Sequence, residues 1–395
     1  MRRNRRMYAA LAVFTGLSLV SAACGSSSKT TTNTTGASSE TTAPSTETTA
    51  PSAETTAPAS DTSAPAVEPG QKIGLLYDIT GRGDKSFNDA AAAGLDKGKA
   101  DFKVVGAEST PTATDGSDRK DRLDTIVAGG NKLVIGVGFL WQPAISQGSQ
   151  DHPDTSFALV DDVAAAVGPD GKAFTADDIT PTNVRDMTFA EEQGSYLVGV
   201  AAALKTTTKK VGFIGGVQTS LIQKFEAGFV AGVKSVDPAI TVDIKYITQP
   251  PDFTGFNNAA KGKEIANAMF GAGEDIVYAA AGSSGTGMFQ AAKDASAKGT
   301  KVWGIGVDSD QYNTVGADLQ QFVLTSMVKH VEVAVYEVIR DFVTGKYTAD
   351  HKVYDLKAGG VGYATSGGFV DDIKDKLDAA SADIVSGKVT VPDKP

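Results

Sequence analysis

The feature that most constrains this chain is a regular alternation, from residue 71 onward, of short apolar runs with longer amphipathic stretches. "KIGLLYD" reads as a buried strand ending at Asp78, and "SFNDAAAAGLDKGKADF" as a helix with Ser86 as its N-cap. "NKLVIGVGF" and "TSFALVDD" read as further strands, and "EEQGSYLVGVAAALK" as a helix. A second set runs through the strands "KKVGFIGGV", "TVDIKYI", "DIVYAAAG" and "KVWGIGVDSDQ", separated by helical patterns, and ends with a short strand entering a long helix in "VLTSMVKHVEVAVYEVIRDFVTGK". Strands alternating with helices predict α/β architecture, with parallel sheets covered by helices on both faces.

Two such sets in about 325 residues exceed the usual size of one core and predict two Rossmann-like lobes. The expected division is 70–186 plus 310–355 for the first lobe and 187–309 plus 356–395 for the second. Crossings are expected near 184–188, 309–315 and 352–362. Ligands of such sheets bind beyond the carboxyl ends of the strands, which directs attention to Asp78, Gly138, Gly282 and Asp308. "AVGPDGKAFTADDITPTNVRD" (166–186) reads as a loop-rich insertion; its aspartates lack the EF-hand spacing, so no metal is expected there.

The N-terminus reads differently. Arg2, Arg3, Arg5 and Arg6 precede an apolar run from Met7 to Val20 and the small residues Ser21, Ala22 and Ala23, the pattern of a signal peptide over 1–23. The run is shorter than the roughly 20 residues of a membrane span. The sole cysteine, Cys24, follows it and is the expected lipidation site, although Ser21 stands where a lipobox usually has Leu. With no second cysteine, no internal disulfide can form. Residues 24–69 form a Thr/Ser/Pro-rich tract with almost no large apolar side chains, expected as a disordered tether.

Cleavage before Cys24 removes four arginines and no acids, so the net charge of −10 becomes −14 in the mature chain. No basic patch of the kind nucleic acid requires is present. The three histidines, His152, His330 and His351, lie far apart without metal-ligand spacing, and no nucleophile elbow or Walker motif occurs. No cofactor, metal or catalytic group is expected.

Eight segments taken in order resemble the basic membrane protein family: "YDITGRGDKSFNDAAAAGL", "FAEEQGSYLVGVAAAL", "VGFIGGV", "FEAGFVAGVKS", "GFNNAAKGKEIA", "AAGSSGTG", "GVDSDQ" and "TSMVKHV". The resemblance implies a type I periplasmic-binding-protein fold with a ligand cleft between the lobes. It also implies a purine nucleoside receptor: a lipoprotein on the extracytoplasmic face of the cell membrane that serves an ABC-transporter permease. This chain has Asn258 near a position where the family usually has an aspartate, and its 166–186 insertion is longer than the family's pattern.

A nucleoside needs aromatic stacking for its base, an amide or carboxylate for the base edge, and a carboxylate for the ribose hydroxyls. The resemblance gives the two sides of an aromatic clamp to Phe87 and Phe256, one per lobe, with Phe253 as the rival ring. Asp78 and Asn88 are the candidates for the base edge and Asp308 for the ribose, with Lys329 placed to orient Asp308. Gly282 and Gly285, in "AGSSGTG", would let the ligand approach backbone N–H groups. The alternatives are the same fold binding a sugar or signalling molecule, a surface sensor or antigen without transport, and a nucleoside hydrolase acting through cleft carboxylates.

Overall fold

Each set of alternating segments folds into its own sheet in the computed structural model, which describes residues 68–395 except 114, 169–171 and 173–174. The signal peptide, Cys24 and almost all of the tether lie outside the described residues.

The first run is β1 (Lys72–Leu76), α1 (Phe87–Phe102), β2 (Val105–Ser109), α2 (Arg119–Ala128), β3 (Leu133–Val137), α3 (Gln142–Asp151), β4 (Ser156–Val160) and β5 (Val184–Phe189). The second is α4 (Glu191–Lys205), β6 (Lys210–Val217), α5 (Ser220–Val236), β7 (Thr241–Thr248), α6 (Ala259–Ala272), β8 (Ile276–Ala280), α7 (Gly285–Ser296), β9 (Trp303–Asp308), α8 (Ala317–Gln320) and β10 (Val323–Lys329). The chain then returns through α9 (Val331–Val343) and β11 (His351–Tyr354), and leaves again for β12 (Val361–Tyr363) and α10 (Lys374–Val385).

The first sheet has the order β11-β5-β4-β3-β1-β2, and every pairing in it is parallel. The second has the order β12-β10-β9-β8-β6-β7, parallel except where β12 runs antiparallel to β10. Helices cover both faces, so a central strand such as β3, "LVIGV", is buried at all five residues. In both sheets the order reverses beside the first strand, which opens a crevice at the carboxyl ends of β1 and β3 in one lobe and of β6 and β8 in the other.

Helix α4 follows a strand of the first sheet yet packs on α5, β10 and β12 of the second lobe, whereas α9 follows β10 and packs on α1 and β3 of the first. Two glycines four residues apart make the α4–α5 contact close. A Cβ at Gly228 would lie 2.1 Å from the carbonyl oxygen of Glu192, and one at Gly232 would lie 2.1 Å from that of Tyr196. That is the physical content of "FEAGFVAG": the two helix backbones touch.

The lobe boundaries differ from expectation at two segments: residues 187–189, expected in the second lobe, complete β5 of the first sheet. Residues 310–329 belong with the second sheet, because β10 pairs in parallel with β9. The crossing expected at 309–315 lies instead at 329–331, between β10 and α9. The segment after β9 is instead a loop reaching over to the other lobe, where Gln311 Nε2 donates to the Lys85 carbonyl at 3.0 Å. The other two crossings join β5 to α4 at 189–191 and β11 to β12 at 354–361.

Candidate ligand-binding cleft

The cleft between the lobes is lined by Asp78, Phe87, Asn88, Phe256, Gly282, Asp308 and Lys329, all singled out from the sequence. Gly285 is the exception: it packs against Ala279 behind the cleft. The lining includes further residues that the sequence reading passed over, among them Asp84, Phe139, Asp161, Leu221 and Phe225.

Asp78 follows β1. Its N–H donates to Asn88 Oδ1 at 2.9 Å, and its Oδ1 stands 3.6 Å from Arg119 Nη2. Gly138, after β3, has φ +103°, and a Cβ there would lie 3.0 Å from Asp78 Oδ2. Glycine at that position both adopts the left-handed backbone and leaves room for the carboxylate. Burial pushes the Asp78 carboxyl up to about 6, against the opposing pull of Arg119.

The segment between β1 and α1 is organised by Asp84, not by Ser86. The Asp84 carboxylate accepts the backbone N–H groups of Ser86 (2.9 Å), Asn88 (2.8 Å) and Asp89 (3.1 Å), which caps the helix. Ser86 makes no side-chain cap. Its hydroxyl crosses the cleft and donates to Asp308 Oδ2 at 2.6 Å. Asn88 is fully engaged inside its own lobe: Nδ2 donates to Thr80 Oγ1 (3.0 Å) and Asp84 Oδ2 (2.9 Å), while Oδ1 accepts from Asp78.

The second lobe answers with Phe256, Asp308 and Lys329. Phe256 closes a single helical turn, Thr254–Phe256, and its ring lies over Gly216, where a Cβ would meet Cδ1 at 2.5 Å. The "GSSG" loop anchors that turn: Ser283 Oγ donates to the Phe256 carbonyl (3.0 Å) and Ser284 Oγ to the Gly255 carbonyl (2.7 Å). Asn258 caps α6, its Oδ1 accepting the Lys261 N–H. Phe253 meets Phe139 of the first lobe edge to face, with ring centroids 6.0 Å apart.

Lys329 is the last residue of β10 and is 1% exposed. Its ammonium lies 2.6 Å from Asp161 Oδ1 of the first lobe and 3.0 Å from Glu191 Oε1 at the start of α4. It also faces the rings of Phe87 (5.2 Å), Phe189 (4.9 Å) and Phe225 (5.7 Å). Its direct ion partners are thus Asp161 and Glu191, and it acts on Asp308 through space. Burial pushes Asp161 and Asp308 up to about 6, with Lys329 opposing in both. Burial works against the Lys329 charge, yet Asp161, Glu191 and Asp308 hold its pKa above the ordinary range. Among the described residues, no group of three or more His, Cys, Asp or Glu could hold a metal ion.

Chemically, this is a cleft with apolar rings on both walls and carboxylates held in place by cations. A family described as "ABC transporter substrate-binding protein PnrA-like" matches residues 71–395. The chain is 39% identical over 334 residues to the "ABC transporter nucleoside-binding protein BmpA" of Lactococcus lactis subsp. cremoris, covering 82% of this chain and 89% of that protein. It is 36% identical over 335 residues to the "CD4+ T-cell-stimulating antigen" of Listeria monocytogenes, covering 82% and 88% respectively. A crystal structure of an ABC transporter solute-binding protein from Aeropyrum pernix superimposes with a TM-score of 0.67 at 26% identity, covering 81% of this chain and 93% of that one.

Proposed function

Because this chain belongs to the PnrA-like ABC transporter substrate-binding proteins, a family with the type I periplasmic-binding-protein fold, we propose that its cleft captures a nucleoside, with a purine base, for uptake. The observation that carries this reading is that Phe87 and Phe256, from opposite lobes, line one cleft together with Asp78, Asp308 and Lys329. A flat heterocycle stacks between two rings, with each stacked base contributing about 1–3 kcal/mol. Asp78 accepts from N–H groups on the base edge. Asp308, close to Lys329, accepts from ribose hydroxyls.

The lobes close over the ligand by bending at the three crossings, and the closed form is what the permease recognises. The protein acts on the extracytoplasmic face, anchored through lipid on Cys24, and it binds without transforming its ligand. The named Lactococcus relative supports the nucleoside assignment, and "lipoprotein" in the names of two archaeal relatives supports the anchor.

Titration calorimetry of the purified protein with purine nucleosides, pyrimidine nucleosides, ribose and glucose tests the reading. Purine nucleosides should bind with 1:1 stoichiometry, and Phe87→Ala or Phe256→Ala should weaken them. Binding of the sugars with no response to any nucleoside would overturn it. For the anchor, Cys24→Ala should release the protein from the membrane fraction into the medium.

A further inference from the structure

Two buried arginines in the first lobe are treated differently. Arg185 is 3% exposed, and all its nitrogens are bonded: Nε to the Thr348 carbonyl (3.1 Å) and Asp350 (2.8 Å), Nη1 to Asp341 (2.8 Å) and Nη2 to Thr348 Oγ1 (2.8 Å). Arg119 is equally buried at 3%, yet its Nε and Nη2 have no hydrogen-bond partner among the described residues. It faces the Trp141 ring at 5.7 Å, and its carboxylate neighbour is Asp78, 3.6 Å away. Trp141 is itself fixed, its Nε1 donating to the Tyr77 carbonyl at 2.9 Å. Burying a guanidinium without its full complement of acceptors is unfavourable. Arg119 does not line the cleft, so its role has to run through the residue it faces.

Asn88, the other candidate for the base edge, spends both amide hydrogens and its oxygen within its own lobe. Asp84 accepts four hydrogen bonds from that same segment. The group left to meet a ligand's in-plane edge here is the Asp78 carboxylate, whose Oδ1 has no hydrogen-bond partner among the described residues. We infer that Arg119 is a positioning residue that keeps Asp78 an acceptor-only reader, so that the cleft ranks guanosine above inosine and inosine above adenosine. This inference rests on the nucleoside reading.

The ranking follows from the edges. Guanine offers N1–H and an N2 amino hydrogen side by side, a bidentate match to a carboxylate. Hypoxanthine offers N1–H alone. Adenine sets its N6 amino group beside the N1 lone pair, which would face a second carboxylate oxygen. The groups acting on the Asp78 charge are Arg119 at the start of α2, Asp161 after β4 and Asp84 before α1. Burial and the two aspartates favour the protonated form; Arg119, and after it a hydrogen bond from the Ile79 backbone, favour the ionised one. Guanosine affinity should therefore be full above pH 7 and fall as the pH drops through about 6.

The test is titration of the full chain with guanosine, inosine and adenosine between pH 5 and 8, using the wild type, Arg119→Met, Arg119→Lys and Asp78→Asn. At pH 7.5 the wild type should prefer guanosine to adenosine by about 10-fold or more. Arg119→Met should move the pH at which guanosine binding is lost upward and collapse the preference. Arg119→Lys, which keeps the charge, should retain part of both. Asp78→Asn, which adds a donor, should invert the order. Equal losses for all three nucleosides in Arg119→Met, with an unmoved pH profile, would reduce Arg119 to a fold-stabilising residue and overturn the inference. Wild-type binding without the ranking would also overturn it and leave the nucleoside reading standing. No binding of any nucleoside by the wild type would sink both.

Discussion

Two cation–carboxylate groups act on the cleft, one from behind its lining and one within it, and they are built on different plans. Arg119 and Asp78 belong to the same lobe, the first residue of α2 facing the end of β1. Lys329 reaches from the last residue of β10 to Asp161 in the other lobe and to Glu191 beside a crossing. The first pair is present whichever way the lobes stand. The second spans the two lobes, as does the Ser86–Asp308 hydrogen bond, so both are expected to respond to the proposed closure. One pair therefore prepares a reader, and the other rewards closure. On the proposed function, a ligand reaching the first lobe would find the Asp78 edge ready and the Lys329 partners still to be brought together.

The harshest way to break this contrast is Lys329→Met. It leaves Asp161 buried without its ion partner while Glu191 keeps only Lys224, and removing one partner of a buried pair typically costs about 3–5 kcal/mol. The closed state should be lost, read as a fall in ligand affinity of more than 100-fold and a lower melting temperature. Phe256→Ala comes next. Removing one ring of the clamp should weaken a purine nucleoside by about 1–3 kcal/mol in calorimetry, with melting changed less than in Lys329→Met.

A pH series sharpens the comparison. The carboxyls of Asp78, Asp161 and Asp308 are raised to about 6, with burial the largest cause in each. Between their ordinary range near 4 and about pH 6, the folded protein binds more protons than the unfolded chain, so stability rises as the pH falls through this window. His330, raised by the hydrogen bond it donates to the Glu332 carboxylate, acts in the same direction. The ligand-free protein should melt higher at pH 5 than at pH 7.5, by calorimetry or circular dichroism, and Asp308→Asn should flatten that slope. The smallest effect is expected from Ser309→Ala, which removes only the interlobe hydrogen bond to the Ser86 carbonyl at 3.1 Å. It should cost about 1 kcal/mol of closure, seen as a roughly five-fold weaker ligand.

The strands with continuous apolar runs were legible in the sequence because burial on both faces demands such runs. Where burial is one-sided the signal faded. β2, "VGAES", is an edge strand with no fully buried residue, and α2, "RKDRLDTIVA", buries only Arg119, Leu123 and Ile126. Arg119 was lost with its helix, since an arginine in a polar stretch reads as solvated surface. Asp161 was within reach: it follows the apolar run of β4 just as Asp78 follows β1, and the rule of ligand binding beyond strand ends applies to it equally. Ser86 was read as a cap from its place before a helix, but Asp84 two residues earlier takes the backbone N–H groups and frees the hydroxyl. The misplaced crossing had a similar origin. Polar residues at 309–315 look alike whether they bend a hinge or meet the opposite lobe, and only strand pairing separates the two.

The three crossings at 189–191, 329–331 and 354–361 have a mechanical consequence. Two bodies joined by one tether can tumble independently, whereas three side-by-side straps leave a single easy axis of rotation. The proposed opening should then be a one-parameter motion, which one spectroscopic ruler suffices to test. Labels replacing Leu140 in one half and Thr254 in the other, flanking the edge-to-face Phe139–Phe253 contact, should report two separations that exchange weight as ligand is added.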